Sequence, residues 1–458
     1  MGRQGTSIGY SLNVFPDESL DELRHTLRHR APHVRREAFR DREFPVELRF
    51  SQRMVGELLA QPAAVDELRD LLRDEGLRLV ALNAFVPVSF HQPDLKERVY
   101  LPTWHESEER LRYTCDCADL LAALAPPEVK APTLSVPAGA LKQALSEGVT
   151  MQMDAAGPSP LPSPHRMGRG NAATAARSLN SEGRDNAKTS PSPHASGERV
   201  GVRGRGDCIV AVEGGTPTIH EQTAAALRRC ALHCAELERR TGRRVIVGIE
   251  PEPGLAYERT SEVVEFFTKF HPALDGESGS GRYLGVNFDI CHQLVEFEDL
   301  AQSVAALQAA GIQIAKIHIS NCIEIEKPLI APELLEALRR RYATSKFLHQ
   351  TYGVNAAGQP VYFSLDLPPV LTPDGLRAMA HAGVEKLRIH YHMPLLPGGA
   401  MPTTLADVET FVRGFAKAQP KVPLVIETYT WLELTAGTGK PDLIPGIADE
   451  IRHVSGWV

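Results

Sequence analysis

The chain has 458 residues, of which 43% are hydrophobic and 23% are charged, a composition typical of a folded globular protein that excludes disorder as its general state. Its formal net charge of −7 gives no overall positive field that would gather nucleic acid. The sequence has neither an apolar run of the roughly 20 residues that a membrane helix needs nor the layout of a secretory signal, so we expect a cytoplasmic protein without membrane insertion. Seven scattered cysteines predict reduced thiols rather than a disulfide framework.

Short apolar runs alternate with helical stretches along most of the chain, which is typical of βαβ units and a parallel sheet. Nine runs are candidate strands for the eight places of a (β/α)8 barrel, also called a TIM barrel. In chain order they cover residues 9–14, 46–50, 79–85, 133–136, 244–250, 283–289, 314–320, 386–392 and 424–428. Either of the last two runs can take the eighth place, because hydrophobic periodicity does not decide between them.

Amphipathic helices are predicted between these strands, because apolar residues recur there at intervals of three and four. Clear examples cover residues 20–30, 223–240, 261–270, 300–310 and 405–418. Two further runs, 347–352 and 361–365, predict a hairpin added before the last strand. An open doubly wound sheet is the alternative architecture, but the turn after the first run lacks the glycines with which such a sheet binds a dinucleotide.

One segment, residues 154–206, differs in composition from the rest of the chain. Pro, Ser, Gly, Arg and Asn dominate it, and large apolar residues are rare. Such a segment cannot bury enough apolar surface to offset the entropy lost on ordering. We therefore expect a disordered low-complexity insertion after the fourth strand unit. It would separate a first half of the barrel, residues 1–153, from a second half, residues 207–458, that carries the candidate metal site.

Four of the predicted strands end in a side chain that can bind a metal: Glu250, Asp289, His318 and Glu427. In a parallel barrel the carboxyl ends of the strands meet at one open mouth, so these four side chains can converge. Three carboxylates and one imidazole suit a divalent cation such as Mn²⁺, Mg²⁺ or Zn²⁺. The alternative for each carboxylate alone is that it caps the next helix or carries a surface charge.

Three histidines near these strand ends are candidates for contact with a substrate. His292 follows Asp289 by three residues, so it can lie beside the ligand and bind a hydroxyl or a carbonyl oxygen; the alternative is that it caps the next helix. His390 and His392 lie on the same face of their predicted strand. They could hold a second metal or an anionic substrate, or they could serve packing and hydrogen bonding.

Further residues of the early strands and of the loop after the third strand are predicted to line the pocket. Amide groups there can bind substrate oxygens, and aromatic rings can cover a ring or an apolar ligand. These substrate-binding candidates are Asn13, Asn83, His91, Tyr100 and Trp104, together with His390 and His392.

The order of the four strand-end residues resembles that of the xylose isomerase-like barrel superfamily, which includes sugar isomerases and epimerases and endonuclease IV. In that superfamily the metal ligands follow the order Glu, Asp, His, Glu, with a histidine three residues after the Asp. Glu250, Asp289, His318 and Glu427 match this order, and His292 stands at the position of the additional histidine. The resemblance implies a (β/α)8 barrel of the xylose isomerase-like type with a divalent metal centre.

A closer resemblance is to the EboE type of metabolite-traffic protein within that superfamily. The matching stretches are GYSLNVFPDESLDELR, LNAFVPVSFH, VYLPTW, IEPEPG, FDICH, KFLHQ, RIHYHMP and IETYTW. This resemblance implies a barrel that is encoded with prenyltransferase-like operon partners and helps to make or move a precursor of a secondary metabolite. The 154–206 segment departs from the pattern of that family.

Two functions follow as hypotheses. The first is a metal-binding barrel that acts on or transports a small secondary-metabolite precursor. The alternative is a metal-dependent isomerase or epimerase of a sugar or sugar phosphate, in which Glu250 and Glu427 move the proton, an enediolate forms, and His292 binds the carbonyl side. A phosphodiesterase acting on abasic DNA is disfavoured, because the chain is acidic and lacks a Lys- and Arg-rich mouth loop. The expected partner is therefore a small molecule and not nucleic acid.

Overall fold

The computed structural model of the protein describes residues 8–40, 42–93, 95–142, 217–270, 280–343, 345–435 and 443–458. The predicted insertion, residues 154–206, lies outside these ranges. Residues 153 and 207, where the first expected half of the barrel ends and the second begins, lie outside them too. No helix within the described ranges has both the length and the apolar character that crossing a bilayer requires.

The described residues form twelve strands, eight of which close into a parallel barrel. The strands are β1 Ile8–Ser11, β2 Phe44–Arg49, β3 Leu77–Asn83, β4 Thr133–Pro137, β5 Ile246–Glu250, β6 Leu284–Asp289, β7 Ile314–Ile319, β8 Ile323–Glu326, β9 Thr351–Val354, β10 Pro360–Ser364, β11 Lys386–Ile389 and β12 Leu424–Ile426. Around the ring the order is β1-β12-β7-β6-β5-β4-β3-β2, and every neighbouring pair is parallel. The predicted (β/α)8 barrel is confirmed.

Helices surround the barrel and complete the strand–helix alternation. Their bounds are Leu20–His25, Ala31–Phe39, Gln52–Ala60, Pro62–Asp74, Glu108–Leu124, Ile219–Thr241, Thr260–Phe270, Ile290–Val295, Leu300–Ala309, Pro332–Arg341, Leu367–Val370, Pro373–Ala382, Leu405–Ala418, Trp431–Thr435 and Leu443–Ser455, with a π-helical turn at Thr26–Arg30. The main hydrophobic core lies between the barrel strands and most of these helices, whereas the three helices between Pro332 and Ala382 pack in a separate apolar cluster. The apolar residues that recur every three to four positions therefore lie on the helix faces that cover the sheet.

A second, four-stranded antiparallel sheet is inserted between β7 and β12. Its order is β10-β9-β11-β8, and β9 and β10 form the hairpin that was predicted before the last strand. The run at 386–392 joins this sheet as β11, whereas the run at 424–428 supplies β12 and takes the eighth barrel place between β1 and β7. A separate apolar cluster, which includes Leu338, Met379 and Leu387, packs against the second sheet.

Close packing between barrel strands explains one glycine next to the candidate site. Gly248 lies in β5, two residues before Glu250, and a Cβ atom there would come within 2.7 Å of the backbone nitrogen of Asn287 in β6. The absence of a side chain thus allows β5 and β6 to pair closely at the point where their last residues, Glu250 and Asp289, enter the mouth.

Candidate metal centre

Four neighbouring strands of the ring bring the four candidate metal ligands together at the carboxyl end of the barrel. Glu250 and Asp289 are the last residues of β5 and β6, His318 is the penultimate residue of β7, and Glu427 directly follows β12. One potential ligand atom from each residue lies within 4.8 Å of those of the other three. All four side chains are buried. The strand-end pattern in the sequence thus corresponds to a real cluster in space.

Asp289 combines the two roles that the sequence left as alternatives. Its Oδ1 accepts hydrogen bonds from the backbone N–H of His292 (3.1 Å) and from the hydroxyl of Ser320 (2.8 Å), and so caps the helix Ile290–Val295. Its Oδ2 is buried without a hydrogen-bond partner, as is Oε2 of Glu250. One oxygen of each of these two carboxylates therefore remains available to a cation.

His318 presents one ring nitrogen to the carboxylates of the cluster. Its Nδ1 lies 2.9 Å from Oε1 of Glu250 and 3.0 Å from Oε2 of Glu427. On the other side of the ring, Nε2 lies 3.1 Å from Oε1 of Glu47, to which it can donate. Burial alone would lower the pKa of His318, but the carboxylates, with Glu427 foremost, raise it well above its ordinary value. A positive charge is thus favoured at this point, whether it comes from a proton or from a metal ion.

Glu47 and Lys316 support His318, and neither was among the residues predicted from the sequence. Both side chains are fully buried inside the barrel, and Nζ of Lys316 donates to Oε2 of Glu47. Burial would raise the pKa of Glu47, but Lys316 and His318 lower it to about 2. The sequence does contain one signal for Lys316: it lies two residues before His318 in the same strand, so the two side chains share a face.

Asn13 and Asn83 hold the fourth carboxylate in place. Their amide Nδ2 atoms donate to the same oxygen, Oε1 of Glu427, at 2.8 and 3.0 Å. Asn13 lies in the turn after β1, and Asn83 is the last residue of β3. These two predicted pocket residues therefore contact a metal-ligand candidate and also line the cavity above it.

Three imidazoles, His292, His390 and His392, form a second cluster beside the first. In each ring Nδ1 faces an oxygen acceptor: Pro251 O at 2.8 Å, Gln350 Oε1 at 2.7 Å and Glu427 O at 2.8 Å, respectively. Since carbonyl oxygens only accept, each Nδ1 carries a hydrogen, and in a neutral ring Nε2 then keeps its lone pair. This cluster is named the imidazole cluster below.

The Nε2 atoms of His390 and His392 are only 2.9 Å apart. Two lone pairs at this distance repel each other unless a proton or a cation lies between them or beside them. Burial, followed by the effect of His292 and His392, lowers the pKa of His390 well below its ordinary value, which disfavours an additional proton. Nitrogen ligands of His292 and His392 also lie within 4.8 Å of each other and of a carboxylate oxygen of Asp289.

Glu252 is a further buried carboxylate at the mouth that the sequence prediction missed. Its Oε1 accepts hydrogen bonds from the hydroxyl of Tyr100 (2.7 Å) and from Nε2 of Gln350 (2.9 Å). Burial raises its pKa. Gln350 links Glu252 to His390, because its amide nitrogen bonds the carboxylate while its amide oxygen accepts from the imidazole. Tyr100, a predicted pocket residue, thus reaches the site through Glu252.

Two of the predicted pocket residues lie behind the cavity. Among the residues that the structure describes, the cavity lining contains neither His91 nor Trp104. Nε2 of His91 donates to the backbone oxygen of Asn13 (2.8 Å), and its Nδ1 accepts from Lys346 (2.9 Å). Burial and Lys346 lower the pKa of His91 to about 3. Trp104 packs in the barrel core, and its indole nitrogen donates to the backbone oxygen of Pro137.

No protein-family model and no curated protein matches the chain. In fold it is similar to a xylose isomerase-like TIM barrel protein from Mycobacterium smegmatis in complex with magnesium (11% identity, 98% of this chain and 96% of that chain covered, TM-score 0.46). It is also similar to the probable 3-DHS dehydratase AsbF from Bacillus anthracis, involved in petrobactin synthesis (10% identity, 98% of both chains, TM-score 0.41). A third structure is the IOLI protein with a binding zinc atom (9% identity, 98% of this chain and 96% of that chain, TM-score 0.40). At these identities the likeness concerns the fold alone.

Proposed function

We propose that Glu250, Asp289, His318 and Glu427 hold one divalent cation, and that the protein is a metal-dependent isomerase or epimerase of a small hydroxy-carbonyl compound. The observation that supports this most is the convergence of one imidazole nitrogen and three carboxylates within 4.8 Å, with buried oxygens of Glu250 and Asp289 that lack hydrogen-bond partners. Buried carboxylate oxygens without partners are costly, and a cation would satisfy them. Three oxygens and one nitrogen are a donor set suited to Mn²⁺, Mg²⁺ or Zn²⁺.

A cation bound here would polarise adjacent oxygens of the substrate and stabilise negative charge on them. Glu250 lines the cavity, so the oxygen of its carboxylate that the cation leaves free could accept a proton from the hydroxyl-bearing carbon next to the carbonyl group. Glu427 is held by Asn13 and Asn83, which favours a fixed position for its carboxylate. His292 also lines the cavity, and with Nδ1 engaged by Pro251 it can contact the substrate through Nε2.

A second cation in the imidazole cluster is a further proposal, supported by a different observation. The Nε2 atoms of His390 and His392 face each other at 2.9 Å with both Nδ1 atoms donating elsewhere, and a cation bound by both nitrogens would relieve the repulsion between their lone pairs. Asp289 is close to both clusters and could bridge two ions. A two-metal centre would suit hydrolysis of an ester as well as isomerisation. Elemental analysis distinguishes a centre with one metal ion from a centre with two, because it counts the ions bound per chain.

The test of the proposed activity combines metal content with isotope exchange. Protein dialysed against Mn²⁺ or Zn²⁺ should retain metal, and in ²H₂O it should introduce deuterium next to the carbonyl group of a suitable hydroxy ketone. The panel should include sugars, sugar phosphates and ring-bearing compounds such as 2-hydroxyacetophenone. Asp289→Asn should lose the metal and the exchange, whereas His292→Ala should keep the metal and lose the exchange. Glu333→Gln, at an exposed position, is the matched control and should behave as the wild type.

The alternative is a carrier that binds a secondary-metabolite precursor at the same centre and passes it on, with prenyltransferase-like proteins as partners. It predicts metal-dependent binding of a ligand with no exchange and no product. Metal-loaded protein that exchanges no compound in the panel but binds one of them would favour the carrier. Protein that retains no metal under any loading condition would contradict both proposals.

A further inference from the structure

The cavity above the metal cluster is lined by two groups of residues, one polar and one apolar. The polar group consists of carboxylates and imidazoles, including Glu250, His292 and Glu427. The apolar group consists of aromatic and aliphatic side chains, among them Phe90, Phe347 and Tyr429. These three residues are named the aromatic wall. A ligand that fills the cavity therefore meets both metal-binding groups and apolar ring surface.

The aromatic wall is a packed unit and not a chance exposure of single rings. Its ring centroids are 4.9 Å apart for Phe90 and Phe347, 5.3 Å for Phe90 and Tyr429, and 4.9 Å for Phe347 and Tyr429. The three residues come from distant parts of the chain: the loop after β3, the segment before β9 and the segment after β12. Tyr429 also lies 4.7 Å from the ring of His392, measured between centroids, so the apolar surface continues to the imidazole cluster.

The positive side chains that line the cavity are already engaged by the protein. Among the described lining residues these are Arg49 and Lys96. Arg49 donates to the carboxylate of Glu18 at 2.7 Å and to the backbone oxygen of Val88 at 3.1 Å. Lys96 donates to Asp366 at 2.7 Å and to the backbone oxygen of Phe347 at 2.8 Å. A phosphate group would have to displace these partners, and any sugar hydroxyl placed against the faces of Phe90 and Phe347 would lose its hydrogen bonds to water.

The size of the cavity limits the apolar part of the ligand. Its volume is about 60 Å³, measured over the positions open to the centre of a water molecule. A water-sized sphere itself occupies about 10 to 15 Å³, so the cavity has room for several waters. A single six-membered ring with a small polar substituent occupies a comparable space.

From these observations we infer that the ligand is a compact molecule with one uncharged apolar ring and two adjacent oxygens that reach the metal. The inference rests on the proposed metal centre and narrows its substrate class. It places the ring against Phe90, Phe347 and Tyr429, and the oxygens beside Glu250 and His292. Simple sugar phosphates would bind poorly, because they combine a charge that the cavity does not match with several hydroxyls, for which the aromatic wall offers only the hydroxyl of Tyr429.

Two hydroxamates test this inference, since benzohydroxamate and acetohydroxamate share one chelating group and differ in a phenyl ring against a methyl group. Calorimetric titration of the full-length, Mn²⁺-loaded protein should give a dissociation constant about tenfold lower, or lower still, for benzohydroxamate, because the ring is removed from water. Phe347→Ala should reduce this ratio to below about threefold. The same variant should bind acetohydroxamate nearly as the wild type does, which shows that its metal centre is intact.

Phe363→Ala is the matched control, because Phe363 lies on β10 with 44% of its surface exposed and is not part of the cavity lining. It should leave both dissociation constants unchanged. Equal affinities for the two hydroxamates in metal-loaded wild-type protein would overturn the inference while leaving the metal centre in place. Absence of metal from the loaded protein, together with no binding of either compound, would overturn the proposed function and this inference with it.

Discussion

Glu47 determines which nitrogen of His318 faces the other candidate ligands. A carboxylate can only accept, so the contact of 3.1 Å between Oε1 of Glu47 and Nε2 of His318 places a hydrogen on Nε2 and directs Nδ1 to the cluster. Lys316 neutralises Glu47 from the other side. Such a carboxylate–histidine–metal arrangement fixes the ring and raises its basicity as a ligand.

Glu47→Gln should weaken metal binding by about 10- to 100-fold, because loss of a partner to a ligating histidine has effects of that order. It should also destabilise the fold by about 3 kcal/mol, since Lys316 would be left as a buried charge without its counter-ion. Metal affinity is measured by competition with a chelator of known affinity, and stability by urea unfolding of metal-free protein.

The double variant Glu47→Gln with Lys316→Met separates the two effects. It removes the stranded charge, so it should recover most of the stability but not the metal affinity. Recovery of wild-type affinity in the double variant would show that Glu47 acts only on stability.

Gln350 has a similar role for the imidazole cluster, because its amide oxygen accepts from Nδ1 of His390 and so leaves Nε2 free. Gln350→Met removes this acceptor. If two cations bind, the variant should lose the second one, or bind it about 10- to 100-fold more weakly, and retain the first. Elemental analysis at increasing metal concentration measures both. Loss of the first ion instead of the second would contradict this role.

The strand-end ligands could be predicted because parallel strands of a barrel deliver their last residues to one mouth, whatever lies between them in the chain. Glu47, Lys316, Glu252 and Gln350 could not be predicted with the same rule. Glu47 and Lys316 lie within strands, where a buried polar residue is understood only when its partner from another strand is known. Gln350 acts through the second sheet, and no local pattern indicates that this sheet reaches the mouth.

At the scale of elements, the last helix closes the ring through one buried carboxylate. Glu450 of the helix Leu443–Ser455 accepts at Oε2 from Tyr10 of β1 (3.0 Å), from Thr428 after β12 (2.8 Å) and from the indole of Trp431 (2.9 Å). Its Oε1 accepts from the backbone of Leu395 (2.7 Å). The first strand, the last strand and the last helix are thus joined at one point.

Burial raises the pKa of Glu450 to about 6 from an ordinary value of 4.5. The unfolded chain then loses this proton at a lower pH than the folded chain does. The stability contributed by the protonated group is therefore present below about pH 4.5 and is lost as the pH rises through about 6, by up to about 2 kcal/mol.

Glu450→Gln should abolish the loss of stability that Glu450 causes as the pH rises, because glutamine does not titrate. Urea unfolding of metal-free wild type and variant at pH 4.5 and 7 should show that the variant gains stability relative to the wild type by about 1 to 2 kcal/mol at the higher pH. Parallel pH dependence of the two proteins would show that the carboxyl group of Glu450 titrates alike in the folded and unfolded states.

The second sheet shows what local patterns leave open at this scale. Residues 386–389 alternate charged and apolar side chains and residues 424–426 are all apolar, but both strands are too short for this difference to decide which one enters the barrel. Their places follow from pairing: β12 pairs in parallel with β1 and β7, whereas β11 pairs antiparallel with β8 and β9. The partners are up to 416 positions away, as in the pair Ile8 and Leu424, so the decision depends on long-range contacts.

At the scale of the whole molecule, the barrel and its candidate centre are built entirely from residues outside the 154–206 segment. The composition of that segment predicts no contribution to a core. A chain in which residues 154–206 are replaced by a short Gly/Ser linker should therefore keep its metal content and should unfold at the same urea concentration within error. Loss of the metal or a clear drop in stability would show that the segment is part of the folded unit.

The central claim is that side chains from β5, β6, β7 and the end of β12 share one cation. An anomalous difference map from crystals of the Mn²⁺-loaded protein tests it most directly, because the map locates the ion without reference to any assumed ligand. The expected result is a peak within coordination distance of Glu250, Asp289, His318 and Glu427. A map with no peak among these four side chains, from protein that binds manganese elsewhere, would contradict it.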